Sequence, residues 1–308
     1  MRLLWQARSS AVAWWWALLS LASATNIALW FQLYHQFQLQ QAHSRDSASG
    51  TSLMLFLCAA YVFGCAFRSF LPRADVQRIC LFDTWLSSVL IGRSVATVAE
   101  VCFAAQWAMI LHQLGGMAGA GTTLNVAWMI VPMIIVAQCC SWYGVLTTNY
   151  LANAIENSIW AVVFFLVGVA LCRLFPEFHG PVRWVLAMGI AGIVFFLAFL
   201  MTVDVPMYLS RWRAEVGDGS NLLHPLEGLR DVSRRWVVTR DHAEWKDEIP
   251  WMSLYFSAAV WSSLALCVCY SLEDQLPRYR TQATTAISAP AVPATSTAHA
   301  GAPDLTNL

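Results

Sequence analysis

Residues 147–160, Thr147-Thr-Asn-Tyr-Leu-Ala-Asn-Ala-Ile-Glu-Asn-Ser-Ile-Trp160, set a group of strongly polar side chains at the start of a long apolar run. Asn149, Asn153, Glu156 and Asn157 recur at i, i+4, i+7 and i+8, which puts all four on one face of a helix. The run continues uncharged to Leu171, so the segment reaches the length of about 20 residues that a bilayer requires. An unpaired polar group in hydrocarbon costs several kcal/mol. The stripe must therefore face other helices, or a pocket that holds water or a ligand. The rest of the chain reads as the wall around it.

The composition agrees. Of 308 residues, 58% are apolar and 12% charged, and the mean hydropathy is +0.54. These values mark an all-α, polytopic integral membrane protein. Sixteen Trp suit interfacial belts as well as helix packing. The formal net charge is zero, and no basic groove with interleaved aromatics occurs, so no nucleic-acid partner is expected. Lys246 is the single lysine and lies in a polar stretch. That leaves no intramembrane lysine for a retinal Schiff base.

No cofactor is indicated. The nine cysteines form no CxxC pair and sit mostly inside apolar runs, where they behave as small hydrophobes rather than as a disulfide or zinc framework. The histidines are scattered, with no HxxxH spacing, so histidine-box oxidases and zinc hydrolases are disfavoured. A GxSxG nucleophile elbow is absent too.

Seven spans are expected: about 11–34, 53–71, 81–111, 124–143, 149–171, 182–209 and 250–271. Ala22-Ser-Ala24 has the small residues of a signal-peptidase site. The apolar run continues through Phe31, however, which favours an uncleaved first span. Gly115–Gly121 reads as a flexible, uncharged turn, and Pro176–Pro181 as a helix break. Residues 1–274 form the seven-span bundle. Residues 275–308, rich in Ala, Ser, Thr and Pro, read as a disordered tail.

Orientation follows from Arg and Lys. One side receives Arg2, Arg8, Arg73, Arg78, Arg211, Arg213, Arg230, Arg234, Arg235, Arg240 and Lys246; the other receives Arg45, Arg173, Arg183, Arg278 and Arg280. The N-terminus and loop 210–249 are therefore expected in the cytoplasm and the tail outside, the opposite sense to G-protein-coupled receptors. Within the loop, Pro225–Trp236 reads as an amphipathic helix with Leu226, Leu229, Val232 or Ser233, and Trp236 on one side. Such a helix would rest on the bilayer and meet anionic headgroups through its arginines. Its functional version is a gate over the cytoplasmic mouth.

Deeper charges sharpen the picture. Arg93, Thr97 and Glu100 share one face of span three, with Arg93 about 15 Å along the helix from Asp83 at 1.5 Å per residue. A charge at such depth costs at least roughly 2.5–3.5 kcal/mol, so Arg93 needs a partner, and Glu100 or Glu156 would serve. Asp204 adds a carboxylate nearer the interface, where Asp247 and Glu248 form the rim. Gln106, Asn125 and Gln138 read as interhelical hydrogen-bonding groups.

The pair Asn149-Tyr150 with Glu156, together with Asp247-Glu-Ile-Pro250, resembles the alkaline ceramidases, which also have seven spans. Their order along the chain differs and the zinc histidines are missing, so no family follows. The candidate binding set is Arg93, Glu100, Asn149, Asn153, Glu156, Asn157 and Asp204. Three functions fit it. The first is binding or translocation of a small solute or ion, with proton coupling through the carboxylates. The second is a membrane-embedded enzyme acting on a lipid or other amphiphile at the cytoplasmic interface. The third is a structural subunit of a membrane complex.

Overall fold

The computed structural model describes residues 2–43, 48–217 and 222–270, with backbone alone for residues 2–10, 40–43, 48, 49 and 181. The expected disordered tail, 275–308, lies outside the described residues. Seven helices are long and apolar enough to cross a membrane: Ala11–Leu39, Gly50–Phe70, Val89–Ala118, Gly121–Thr147, Tyr150–Leu174, Val182–Gly217 and Glu248–Tyr270. The first belongs to α1 (Arg2–His43) and the second to α2 (Ala48–Phe70). They are followed by α3 (Val89–Ala118), α4 (Gly121–Thr147) and α5 (Tyr150–Leu174).

The sixth span joins α6 (Pro181–Phe199) to α7 (Val205–Gly217) through a wide π-helical turn, Leu200–Asp204. Pro206 explains the turn: it has no N–H to give to the carbonyl four residues back and its ring crowds that carbonyl. A single turn widened to i→i+5, with the Val205 N–H on the Leu200 carbonyl, accommodates it. Between the sixth and seventh spans lie α8 (Pro225–Arg234) and the short α9 (His242–Trp245). The seventh span opens with α10 (Glu248–Leu254) and carries a second π-helical turn at Tyr255–Ala259.

Helices α1 and α2 run antiparallel, with the Trp30 indole on the Leu55 carbonyl and the Trp16 indole on the Phe70 carbonyl. The seventh span runs parallel to α1. The Trp15 indole donates to Ser253 and, farther along, the Trp261 indole donates to Asn26. That parallelism is what an odd number of crossings requires. One end of the bundle therefore gathers the start of α1, the α2–α3 connection, the α4–α5 turn and residues 222–248. We call it the loop end.

Both boundaries of the third span move. The third span does not begin at Leu81. Arg73–Ala74 (β1) and Ile79–Cys80 (β2) form an antiparallel pair, which Val237–Val238 (β3) extends in parallel. A 3₁₀ turn, Trp85–Ser87, follows, and α3 starts only at Val89 behind the Ser88 cap. Asp83 is thus a loop residue that accepts from the Trp236 indole at 3.0 Å, and no helix connects it to Arg93. The third span also extends past Leu111, because Gly115 to Ala118 stay helical. The helix closes at Gly119, whose φ of 64° is the left-handed conformation that glycine adopts without strain.

The expected amphipathic helix is present as α8, but of the expected apolar face Val232 is buried and the two leucines are not. Gly228 and Val232 face inward, while Leu226 and Leu229 are exposed. Val232 joins Val76, Val89 and Val145 in a small apolar cluster, and Asp231 pairs with Arg78 at 2.7 Å. Arg78 also donates to the Val145 carbonyl at the end of α4. With β3 paired to β2 and Trp236 on Asp83, α8 is tied to the bundle on several sides, which speaks against a freely swinging gate. Gly228 is what lets it seat, because a β-carbon there would run into the Leu146 carbonyl backbone. Gly228→Ala is expected to cost about 1–3 kcal/mol of local packing and to expose 225–238 to limited proteolysis. Unchanged cleavage would show that α8 is held elsewhere.

Candidate functional site

The polar face legible in the sequence is buried among α3, α4 and α5. Arg93 sits one turn into α3, and its Nη2 carries three acceptors: Glu100 Oε2 at 3.1 Å, Glu156 Oε1 at 3.4 Å and Gln138 Oε1 at 2.6 Å. Gln138 of α4 in turn donates its amide to Glu100. Asn153 of α5 donates to Glu156 Oε2 at 3.3 Å. All five residues are buried. One guanidinium thus faces two carboxylates, three elements contribute, and the set carries one surplus negative charge if both acids are ionised. In a low-dielectric interior such a set holds together only through its own partners.

Two polar atoms of this cluster lack a hydrogen-bond partner, Arg93 Nε and Asn153 Oδ1. Buried polar groups are almost always paired, and these two atoms are the exceptions within the cluster. The aromatic floor is formed by Tyr61 stacked on Phe103 at 4.5 Å, with Tyr255 edge-on to Tyr61. Thr97, on the Arg93–Glu100 face, accepts from the Trp142 indole at 3.0 Å and does not enter the ion cluster.

The remaining candidates go elsewhere. Asn149 caps α5, its Oδ1 accepting from the Leu151 N–H. Asn157 points away from Arg93 and donates to Asp204 Oδ2 at 2.9 Å, so Asp204, in the π-helical turn, joins a second polar group. Nearby, Arg211 pairs with Glu248 at 3.1 Å and Asp247 at 3.3 Å. Glu248 also accepts from Gln77 and from the Trp251 indole. The Arg211 guanidinium lies 5.6 Å from the Tyr150 ring centre, and Tyr150 packs against Tyr208. The polar face is therefore two sites, one on either side of α5.

Two residues of the first site were not singled out from the sequence. Gln138 stood there as interhelical glue, although its i, i+3 spacing to Ser141 already put two polar groups on one face of α4. Ser141 itself gave no separate signal. Among the described residues, no three His, Cys, Asp or Glu are grouped so as to hold a metal, and all nine cysteines are free.

No family model matches the chain, and no curated protein or solved structure matches it either. Seven long apolar helices and a buried ion cluster define its class as a multi-pass integral membrane protein.

Proposed function

We propose that the protein binds and translocates a small solute or ion through the polar interior at the loop end, with the loop end in the cytoplasm. The observation that carries this reading is the two-to-one set, in which Glu100 and Glu156 share one guanidinium nitrogen of Arg93. A purely structural pair would balance its charges. Two acids on one guanidinium nitrogen leave one of them able to take up and release a proton, as coupled carriers require. The unpartnered atoms beside it support the same reading. Asp204, Arg211, Glu248 and Tyr208 form the entrance on the other side of α5. The exposed Leu226 and Leu229 of α8, with Arg230 and Arg234, rest on anionic headgroups around it.

The test is flux. Reconstituted protein with Glu156→Gln is expected to insert and fold, because glutamine keeps the volume and the contact with Asn153. Solute or ion uptake should fall at least tenfold. Wild-type flux in that variant would remove Glu156 from the mechanism.

A further inference from the structure

We infer that α7 is a gate over the loop-end entrance, with the π-helical turn Leu200–Asp204 as its hinge, Arg211 as its latch and Tyr208 as its plug. The inference rests on the translocation reading and gives that entrance a closed state, the one the structure holds.

The hinge lies where the backbone is already short of hydrogen bonds. Pro206 has no N–H for the Thr202 carbonyl, and the turn before it is π-helical. Bending there breaks fewer bonds than bending elsewhere in the sixth span. The seventh span has a π-helical turn of its own, Tyr255–Ala259, directly after α10. Both spans that frame the entrance are thus interrupted beside it, but their loop-end halves are held differently. Gln77 on Glu248 at 2.8 Å and the Trp15 indole on Ser253 at 3.0 Å anchor α10 to the bundle. α7 rests on α5 through the contact of Tyr208 with Tyr150, and Arg211 joins it to α10.

Among the ion pairs of the loop end, this one is built to open. Arg73 and Arg78 are buried in their pairs with Asp75 and Asp231, and parting either pair strands a buried charge. The Arg211 side chain is 20% exposed and that of its second partner, Asp247, 50%, so the guanidinium can pass from Glu248 to water. Glu248 is not stranded when that happens. Its Oε1 keeps Gln77 and its Oε2 keeps the Trp251 indole. Two neutral donors therefore hold the carboxylate in place for the arginine to return to. Behind the latch, three residues back along α7, stands Tyr208. The charges acting on it come from both polar groups, Asp204 and Glu248 from one and Glu156 from the other. Swinging α7 away from α10 draws Tyr208 out from between them and opens a way from the loop end to Glu156.

The test reads access rather than flux. Purified full-length protein in detergent carries Asn157→Cys as a reporter behind Tyr208. It is labelled with a charged methanethiosulfonate, and protein without that substitution gives the background from the native cysteines. Labelling is expected to be slow with Arg211 in place and at least tenfold faster with Arg211→Ala, at a melting temperature within a few degrees. Arg211→Lys, which keeps a charge for Glu248, should restore slow labelling. If Arg211→Ala does not fold, Glu248→Gln is the second arm and should speed labelling as well. Pro206→Ala returns an N–H to the Thr202 carbonyl and should slow labelling of the Arg211→Ala protein at least threefold. A rate that neither Arg211→Ala nor Glu248→Gln changes overturns the gate. So does a rate as fast with Arg211→Lys as with Arg211→Ala, and a rate unmoved by Pro206→Ala overturns the hinge. Latch-dependent labelling in a protein without flux would overturn translocation and leave the gate standing, whereas flux with labelling indifferent to the latch would do the reverse.

Discussion

Arg93→Met is expected to destabilise the protein by roughly 3–5 kcal/mol, the cost of stranding buried charges by removing their partner. The side chain it replaces gives one nitrogen to Glu100, Glu156 and Gln138, and methionine gives nothing to any of them. Two carboxylates would then face each other in a buried site with only Gln138 and Asn153 between them. The triple variant Arg93→Met, Glu100→Gln, Glu156→Gln keeps the volumes and removes every charge, and replacing a whole buried ion set in this way is often neutral or even stabilising. It should regain most of the loss. Unfolding of each variant in detergent by denaturant measures both effects. An Arg93→Met protein as stable as wild type would mean that the guanidinium is not the counter-ion. The same triple variant separates the functional classes. A structural subunit should keep its host complex working when the cluster is neutral, whereas a carrier should be folded and inactive.

The cluster was legible in the sequence for the reason that makes it costly. A charge in hydrocarbon must be paired, so Arg93 pointed to Glu100 and Glu156 before any contact was seen. The sequence offered them as alternatives, and the structure uses both. The four polar residues at the start of α5 do not act as one stripe. Neighbouring residues on a helix are about 100° apart, so Glu156 and Asn157 cannot aim at the same target. One faces Arg93 and the other Asp204. The seven crossings followed from apolar runs alone, but where the third begins did not. Ile79 to Phe82 is apolar because it packs under the bundle end, and hydropathy joins it to α3 without a seam. Strands of two residues show no alternation. The β2–β3 pairing joins distant parts of the chain, so no local pattern announces it. The arginine count had a related blind spot. Arg73 and Arg78 enter the arginine count as charges of the loop end, yet both are buried in ion pairs and are not free to meet headgroups.

Asp75→Asn is the second substitution expected to cost about 3–5 kcal/mol, and it acts outside the spans. Asp75 lies in the β1–β2 turn with its side chain 10% exposed, and it receives Arg73 Nε and Nη2, both at 2.9 Å, as well as Arg68 at 3.4 Å. Arg73 is 1% exposed, and burial pushes its guanidinium down to about 10 against the pull of Asp75. Its other contact is the Ser87 carbonyl at 3.2 Å. Asparagine would keep the shape of the turn but leave two guanidinium groups without their shared counter-ion, while the wild-type carboxylate settles both. Burial alone would raise the Asp75 carboxyl, but Arg68 and Arg73 together hold it well below the usual carboxylate range. A lowered folded value means that the unfolded chain binds the proton first as pH falls. The stability Asp75 supplies is therefore complete above the unfolded value of about 3.9 and is lost as pH drops through the folded one. The gap between wild type and Asp75→Asn should accordingly be constant from pH 7 to pH 5 and narrow below about pH 4. Denaturant midpoints across that range measure it. A gap that stays constant into acid would show that the carboxylate is not the charge holding Arg73 and Arg68. If it narrows, the ion cluster that joins the α2–α3 connection to the end of the bundle sets how the loop end withstands acid.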